Sequence, residues 1–130
     1  MENNKKKILL IEDNKEERDF YSDFLSHDFE METAEDGENG LEKLKAENDD
    51  LVLLDIMMPK LDGVGFLKLK NADAKIAGVP VVALTNLGQD EVLKACFEQG
   101  IKSYILKAET TPDKVLSVIK QIVGSANTPQ

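Results

Sequence analysis

Cysteine is almost absent from this chain: there is one, Cys96, in 130 residues. No intramolecular disulfide can form, and a cysteine-built zinc site has no ligands. Such usage fits a reducing compartment, and the cytoplasm is the expected location. Bases are scarce as well, with 16 Lys and Arg against 25 Asp and Glu and a net charge of −9. No net positive field is available to displace counterions from DNA or RNA, so nucleic acid is not an expected partner. Anionic membrane surfaces are disfavoured for the same reason. Long apolar runs are missing too. The N-terminus, MENNKKKILLIED, starts with lysines as a secretory leader does, but only Ile8 to Ile11 follow before two acids. That is too short for a leader core or a membrane span. No internal repeat, low-complexity run or linker to a second domain is visible.

What is present is enough for one core: hydrophobic residues make up 42% of the chain. Two kinds of segment alternate. KILLI (7–11), LVLLD (51–55) and VPVVALT (79–85) are short apolar runs that read as buried strands. FEMETA (29–34) and SYILK (103–107) are more polar strands. Between them lie helical patterns. One carries Phe20, Tyr21, Phe24 and Leu25 at helical spacing; a second spans 36 to about 47, with Leu41 and Leu44 among charges. A third runs from 63 to about 71, and a fourth from 89 to 99, ended by Gly100. Thr111-Pro112-Asp113 supplies an N-cap, an N1 proline and a first-turn acid for the last helix, which Gly124 stops. Strict alternation of five strands and five helices implies a doubly wound parallel sheet with helices on both faces, a flavodoxin-like α/β fold. The wholly apolar strands belong at its centre and the two polar ones at its edges, which matches the order 2-1-3-4-5. One domain is expected, with a core of about 5–123, a flexible tail at 124–130 and no output domain.

In such a sheet, ligands bind beyond the carboxyl ends of the strands. Glu12 and Asp13 follow the first strand, Asp55 ends the third, Thr85-Asn86 ends the fourth, and Lys107 ends the fifth. Two carboxylates about 5 Å apart repel by roughly 3 kcal/mol at an effective dielectric near 20. Three acids on one rim therefore call for shared protons or a cation. Oxygen-only ligands suit a hard ion, magnesium or manganese, which commonly takes one or two carboxylates plus phosphate oxygens. Lys107 can hold a phosphate oxygen as a point charge and Thr85 can donate to another. A carboxylate can itself be the nucleophile in phosphoryl transfer. Asp55, alone at the end of the central strand, is the best candidate, and the Glu12–Asp13 pair better suits the metal.

The stretches ILLIEDN, LVLLDIMMPKLDG, VVALT and SYILK occur in order at these strand ends. Across about residues 5 to 123 the chain resembles the receiver domain of bacterial two-component response regulators, in their single-domain, chemotaxis-regulator-like form. The resemblance implies a phosphoacceptor switch rather than a classical enzyme, one that promotes its own phosphorylation and dephosphorylation. Asp55 receives a phosphoryl group from a sensor histidine kinase or phosphotransfer protein. Mg2+ is held by Asp13, Asp55 and the backbone carbonyl of Met57, with Glu12 supporting through water. Thr85 and Lys107 contact the phosphoryl group. Thr85 then moves toward the phosphate and Tyr104 turns inward, reshaping the face of the fourth helix, fifth strand and fifth helix for a downstream protein or for passing the phosphate on. A monomer is expected, with dimerisation on activation as the alternative. Two positions depart from the family pattern: Ala108 stands where proline usually follows the lysine, and Asn86 where a small residue usually follows the threonine. Met57, Asn86 and Leu87 flank the opening and are expected to tune the phosphate's lifetime.

Other readings compete. A non-phosphorylated interaction module of the same fold would not need the full acid, threonine and lysine set. A flavin binder wants a hydroxyl- and glycine-rich loop after the first strand, whereas IEDNKEE is acidic. Phosphatases with an aspartate nucleophile commonly carry a second acid two residues on, where this chain has Met57. His27 is expected to favour a helix C-terminus, Cys96 and the Met57 and Met58 side chains to pack, and Gly63 to serve a turn.

Overall fold

The computed structural model describes residues 5–58, 61–86 and 88–124. Its elements run β1 (Lys7–Ile11), α1 (Lys15–Leu25), β2 (Glu30–Ala34), α2 (Gly37–Ala46), β3 (Leu51–Asp55), α3 (Gly63–Asn71), β4 (Val81–Thr85), α4 (Asp90–Glu98), β5 (Ser103–Leu106) and α5 (Pro112–Val123). All neighbouring strands pair in parallel, in the order β2-β1-β3-β4-β5. The expected architecture is the observed one. β3 and β4 are buried throughout, whereas β2 and β5 are partly exposed edges. Strands buried on both faces must be apolar at every position, which is why the continuous runs took the middle.

Strand residues alternate between the two faces. Leu9, Ile11, Val52, Leu54, Val81 and Ala83 pack with residues of α2, α3 and α4. Ile8, Leu10, Leu51, Leu53, Val82 and Leu84 pack with residues of α1 and α5. Cys96 lies in the first of these layers, fully buried, and burial pushes its thiol up to about 11. It is an unreactive packing residue.

The capping chemistry written in the sequence is used. The side chains of Asn14, Asp36, Asp62 and Thr111 each accept from the backbone N–H three residues on, at the N-termini of α1, α2, α3 and α5. Gly100 and Gly124 take positive φ after α4 and α5, as helix-ending glycines do. Several expectations shift. β4 begins at Val81 rather than 79, because Pro80 has no N–H to give the ladder. β5 ends at Leu106, and Lys107–Glu109 forms a 3-10 turn. Phe20 is 54% exposed and Met57 45%, so neither side chain fills the core; Met58 does. Gly63 is needed for close approach rather than for a turn, since a Cβ there would meet the Ile56 Cα at 2.7 Å. Residues 125–130 of the expected tail lie outside the described residues.

One acid at the amino end of the sheet has no hydrogen-bonded counter-charge among the described residues. Both carboxylate oxygens of Asp49 are buried without a hydrogen-bond donor, as is Oε1 of Glu32 beside it. Lys7 is drawn aside to Glu47, at 2.5 Å. Burial, then the charge of Glu32, pushes Asp49 up to about 7. The folded chain therefore holds this proton more tightly than the unfolded chain does, and stability is lost as pH rises from about 4 to about 7. Asp49→Asn removes the charge and can donate to Glu32. In urea unfolding it should gain about 1–3 kcal/mol over the parent at pH 8, shrinking toward zero at pH 5. An equal gain at both pH values would show that Asp49 does not titrate in this range.

Candidate functional site

Parallel register aligns the carboxyl ends. Asp55 sits beside Leu84, and Thr85 beside Leu106, so Lys107 follows one step beyond. Counting by twos, Asp55 and Glu12 share the face of Leu53 and Leu10, toward α1 and α5. Thr85 shares the face of Ala83, toward α4. The rim is thus approached from two sides.

Glu12, Asp13 and Asp55 each present a carboxylate oxygen, all within 4.8 Å of one another. Glu12 and Asp55 are buried and Asp13 is exposed. The Lys107 amine crosses from β5 and donates to Glu12 at 2.8 Å, to Glu17 at 2.9 Å and to Asp55 at 3.3 Å. Burial works against its charge, but the bonds to Glu12 and Glu17 and the charge of Asp55 outweigh that and hold the amine above the ordinary lysine value. Burial likewise dominates at Glu12, pushing it up to about 7 against the opposing Lys107 bond, with the Asp55 charge adding to the rise. Asp55 is oriented by the Met57 backbone N–H, which donates to Oδ1 at 3.0 Å, leaving Oδ2 toward Lys107.

An oxygen-only set with one exposed member fits a hard divalent cation that keeps some of its water. Lys107 already supplies one positive charge there. A cation and an amine together can neutralise the acids and still attract an anionic group.

The remaining expected residues take definite places. Thr85 is buried, and its hydroxyl donates to the Asn86 carbonyl oxygen at 3.3 Å. Asn86 is exposed and lines an open depression with Phe20, Tyr21, Lys107 and Ala108. Ala108 lies in the 3-10 turn, and no described peptide bond is cis. Tyr104 points outward, 43% exposed, edge-to-face with Phe97 at 5.9 Å. Leu87 lies outside the described residues. Sequence reasoning missed two residues of α1. Glu17 is the third partner of Lys107. Arg18 donates to the carbonyl oxygens of Glu12 at 2.7 Å and Asp13 at 3.4 Å, fastening the acidic loop to the helix. The one sequence signal for Glu17 was its spacing from Asn14, the N-x-x-E pattern of a helix start.

Comparison with known proteins places the chain among relatives of one family and one fold. Residues 8–120 match the family model described as the response regulator receiver domain. The chemotaxis protein CheY of Halobacterium salinarum is 32% identical over 120 residues, covering 91% of this chain and 97% of that protein. A probable transcriptional regulator, ycf27, of Cyanophora paradoxa is 35% identical over 130 residues, covering 99% of this chain and 53% of that protein. The chain spans only about half the length of that relative and 8% of another. Among solved structures, chemotaxis protein CheY4 of Vibrio cholerae superposes with a TM-score of 0.83 at 24% identity, over 91% of this chain and 98% of that one.

Removing the amine tests how far the acids depend on it. Lys107→Met leaves Glu12 and Asp55 buried without their cation and should cost about 3 kcal/mol at pH 8. Adding MgCl2 should recover more stability in the variant than it adds to the parent. Equal Mg2+ effects in urea unfolding would show that the amine and the ion do not share these acids.

Proposed function

The chain belongs to the response regulator receiver family, and from that premise we propose that it is a Mg2+-dependent phosphoacceptor switch with Asp55 as its acceptor. The family makes it a two-component signalling module rather than a classical enzyme. The observation that carries the proposal is the Lys107 amine lying on both Asp55 and Glu12, while Asp13 completes a cluster of three acids.

An Asp55 carboxylate oxygen attacks the phosphorus of a phosphohistidine in a sensor kinase or phosphotransfer protein. The new O–P bond forms as the P–N bond breaks, and the donor imidazole leaves with the electron pair. Asp13, Asp55 and the Met57 carbonyl, supported by Glu12, would hold Mg2+, which neutralises charge on the acids and the transferred group. The Met57 N–H keeps Asp55 oriented. Lys107 follows the added charge with its amine. Thr85 exchanges its bond to the Asn86 carbonyl for one to a phosphoryl oxygen. With Thr85 drawn toward the site, Tyr104 has reason to leave Phe97 and turn inward, changing the surface of α4, β5 and α5. That surface would control a downstream protein, or the phosphate would be passed on. We place the protein in the cytoplasm and take it as a monomer when unphosphorylated. Among the described residues, no helix is long and apolar enough to cross a membrane.

Incubation with MgCl2 and acetyl phosphate should add the mass of one phosphoryl group to the parent and none to Asp55→Ala. An unlabelled parent, or a label that survives in Asp55→Ala, would overturn the proposal. Asn86→Ala, Leu87→Ala and Met57→Ala should each alter the rate of phosphate loss by severalfold. Three rates equal to the parent's would remove the rate-tuning role of this opening.

A further inference from the structure

Lys107 is held by three carboxylates, but the chemistry proposed above needs only Asp55 and Glu12. The third, Glu17, comes from the first turn of α1, and its side chain is 44% exposed, against 1% for Glu12 and 6% for Asp55. Its position is fixed from both sides. Asn14 accepts from the Glu17 N–H at 2.9 Å, and Arg18, the next residue, grips the Glu12 carbonyl oxygen. In a capping box, the acid at this helical position would turn back to the N–H of the cap residue. Here the Asn14 N–H donates to Glu12 Oε2 instead, at 3.1 Å. Glu17 is thereby released from capping, and its carboxylate reaches Lys107.

The phosphoryl group needs the same amine. It brings about two negative charges and three acceptor oxygens to Asp55. Lys107 can answer them fully only by giving up a bond it already makes. Glu12 is buried, so water cannot readily replace the amine on its carboxylate. Glu17 is half exposed and can be solvated by water when the amine leaves. It is the partner most easily lost.

The geometry points to Glu17 as a positioning residue that competes with the phosphoryl group for Lys107 and so restrains phosphorylation. The assignment rests on Asp55 being the phosphoacceptor. The exchange breaks one N–H···O bond and forms another, and no proton changes owner. A purely structural ion pair tying α1 to the turn after β5 would alter stability and leave the transfer rate alone.

The test is the rate of labelling by sub-saturating acetyl phosphate with MgCl2, in the parent, Glu17→Gln, Lys107→Met and the double variant. Glu17→Gln should label about three- to fivefold faster than the parent, the weight of one half-exposed ion pair. In the Lys107→Met background it should add nothing. Should Lys107→Met label too slowly to time, Glu17→Asp decides. It keeps the charge but draws the carboxylate back from the amine, and it must label as fast as Glu17→Gln. The inference fails if Glu17→Gln labels at the parental rate. It fails too if Glu17→Asp does, or if the acceleration persists without Lys107, since Glu17 would then merely repel the donor. A parent that takes no label at all overturns the Asp55 assignment and this inference with it, whereas a labelled parent with an unchanged Glu17→Gln overturns this inference alone.

Discussion

One ammonium group balances the carboxyl edge of the sheet. Lys107 touches Glu12, Glu17 and Asp55, and Asp13 stands beside two of them. At the effective dielectric of a protein surface, each unrelieved carboxylate pair at about 5 Å costs roughly 3 kcal/mol. The amine therefore stabilises the rim, which retains an excess of negative charge that favours a further cation. Much of the surrounding structure serves this balance. The parallel register sets the strand ends at matching heights. Arg18 and Asn14 hold the loop after β1 to α1. The Met57 N–H orients Asp55. Gly63 lets the chain leaving β3 fold back against Ile56, where an added Cβ would meet the Ile56 Cα at 2.7 Å.

The opposite end of the sheet shows what happens when the lysine bonds elsewhere. Glu32 and Asp49 meet where Lys7 bonds to Glu47 and acts on Asp49 only through its charge. The Lys7 charge opposes the rise but is outweighed by burial and by Glu32, so Asp49 holds its proton up to about pH 7. At the carboxyl end Glu12 is pushed equally high by burial, yet there Lys107 opposes the rise. A buried acid becomes part of a charged site at one end. At the other it is a liability that depends on pH. The difference lies in the reach of one lysine.

The fold was legible because it follows from patterns repeated over four or five residues: continuous apolar runs for β1, β3 and β4, and cap residues ahead of the helices. The strand-end acids, Thr85 and Lys107 were legible because a parallel sheet collects its carboxyl ends on one edge. Contacts between distant side chains were not. Glu17 and Lys107 lie 90 positions apart, and nothing in either segment names the other. The N-x-x-E spacing at Asn14 even points elsewhere, to a capping box that Glu12 displaces by taking the cap's N–H. The paired acids Glu32 and Asp49 escaped for a similar reason. An alternating edge strand reads as half wet, and only the folded chain shows that Oε1 of Glu32 is buried. Gly63 was legible as a necessary glycine but not for its cause, because a close approach to Ile56 leaves no trace in sequence.

The proposed switch needs a route from charge at the rim to the surface of β5, and the register supplies one. Thr85 and Ala83 lie on the same face of β4, and Ala83 is the direct neighbour of Tyr104 across the ladder. Ala83 is small and fully buried, so the strip between Tyr104 and Thr85 carries no bulky side chain from β4. The Thr85 hydroxyl is turned to the Asn86 carbonyl, and Tyr104 rests outward against Phe97. If a phosphoryl oxygen draws the hydroxyl toward Asp55, space opens along that strip, and an aromatic ring with a polar tip can fill it. The two positions of Tyr104 would then differ by one edge-to-face contact against one burial, each a small energy. A surface balanced so closely can be tipped by a local change in charge. Under the proposed switch, Lys107 and Thr85 would reach the phosphoryl group from opposite faces of the sheet, and both movements would report one event.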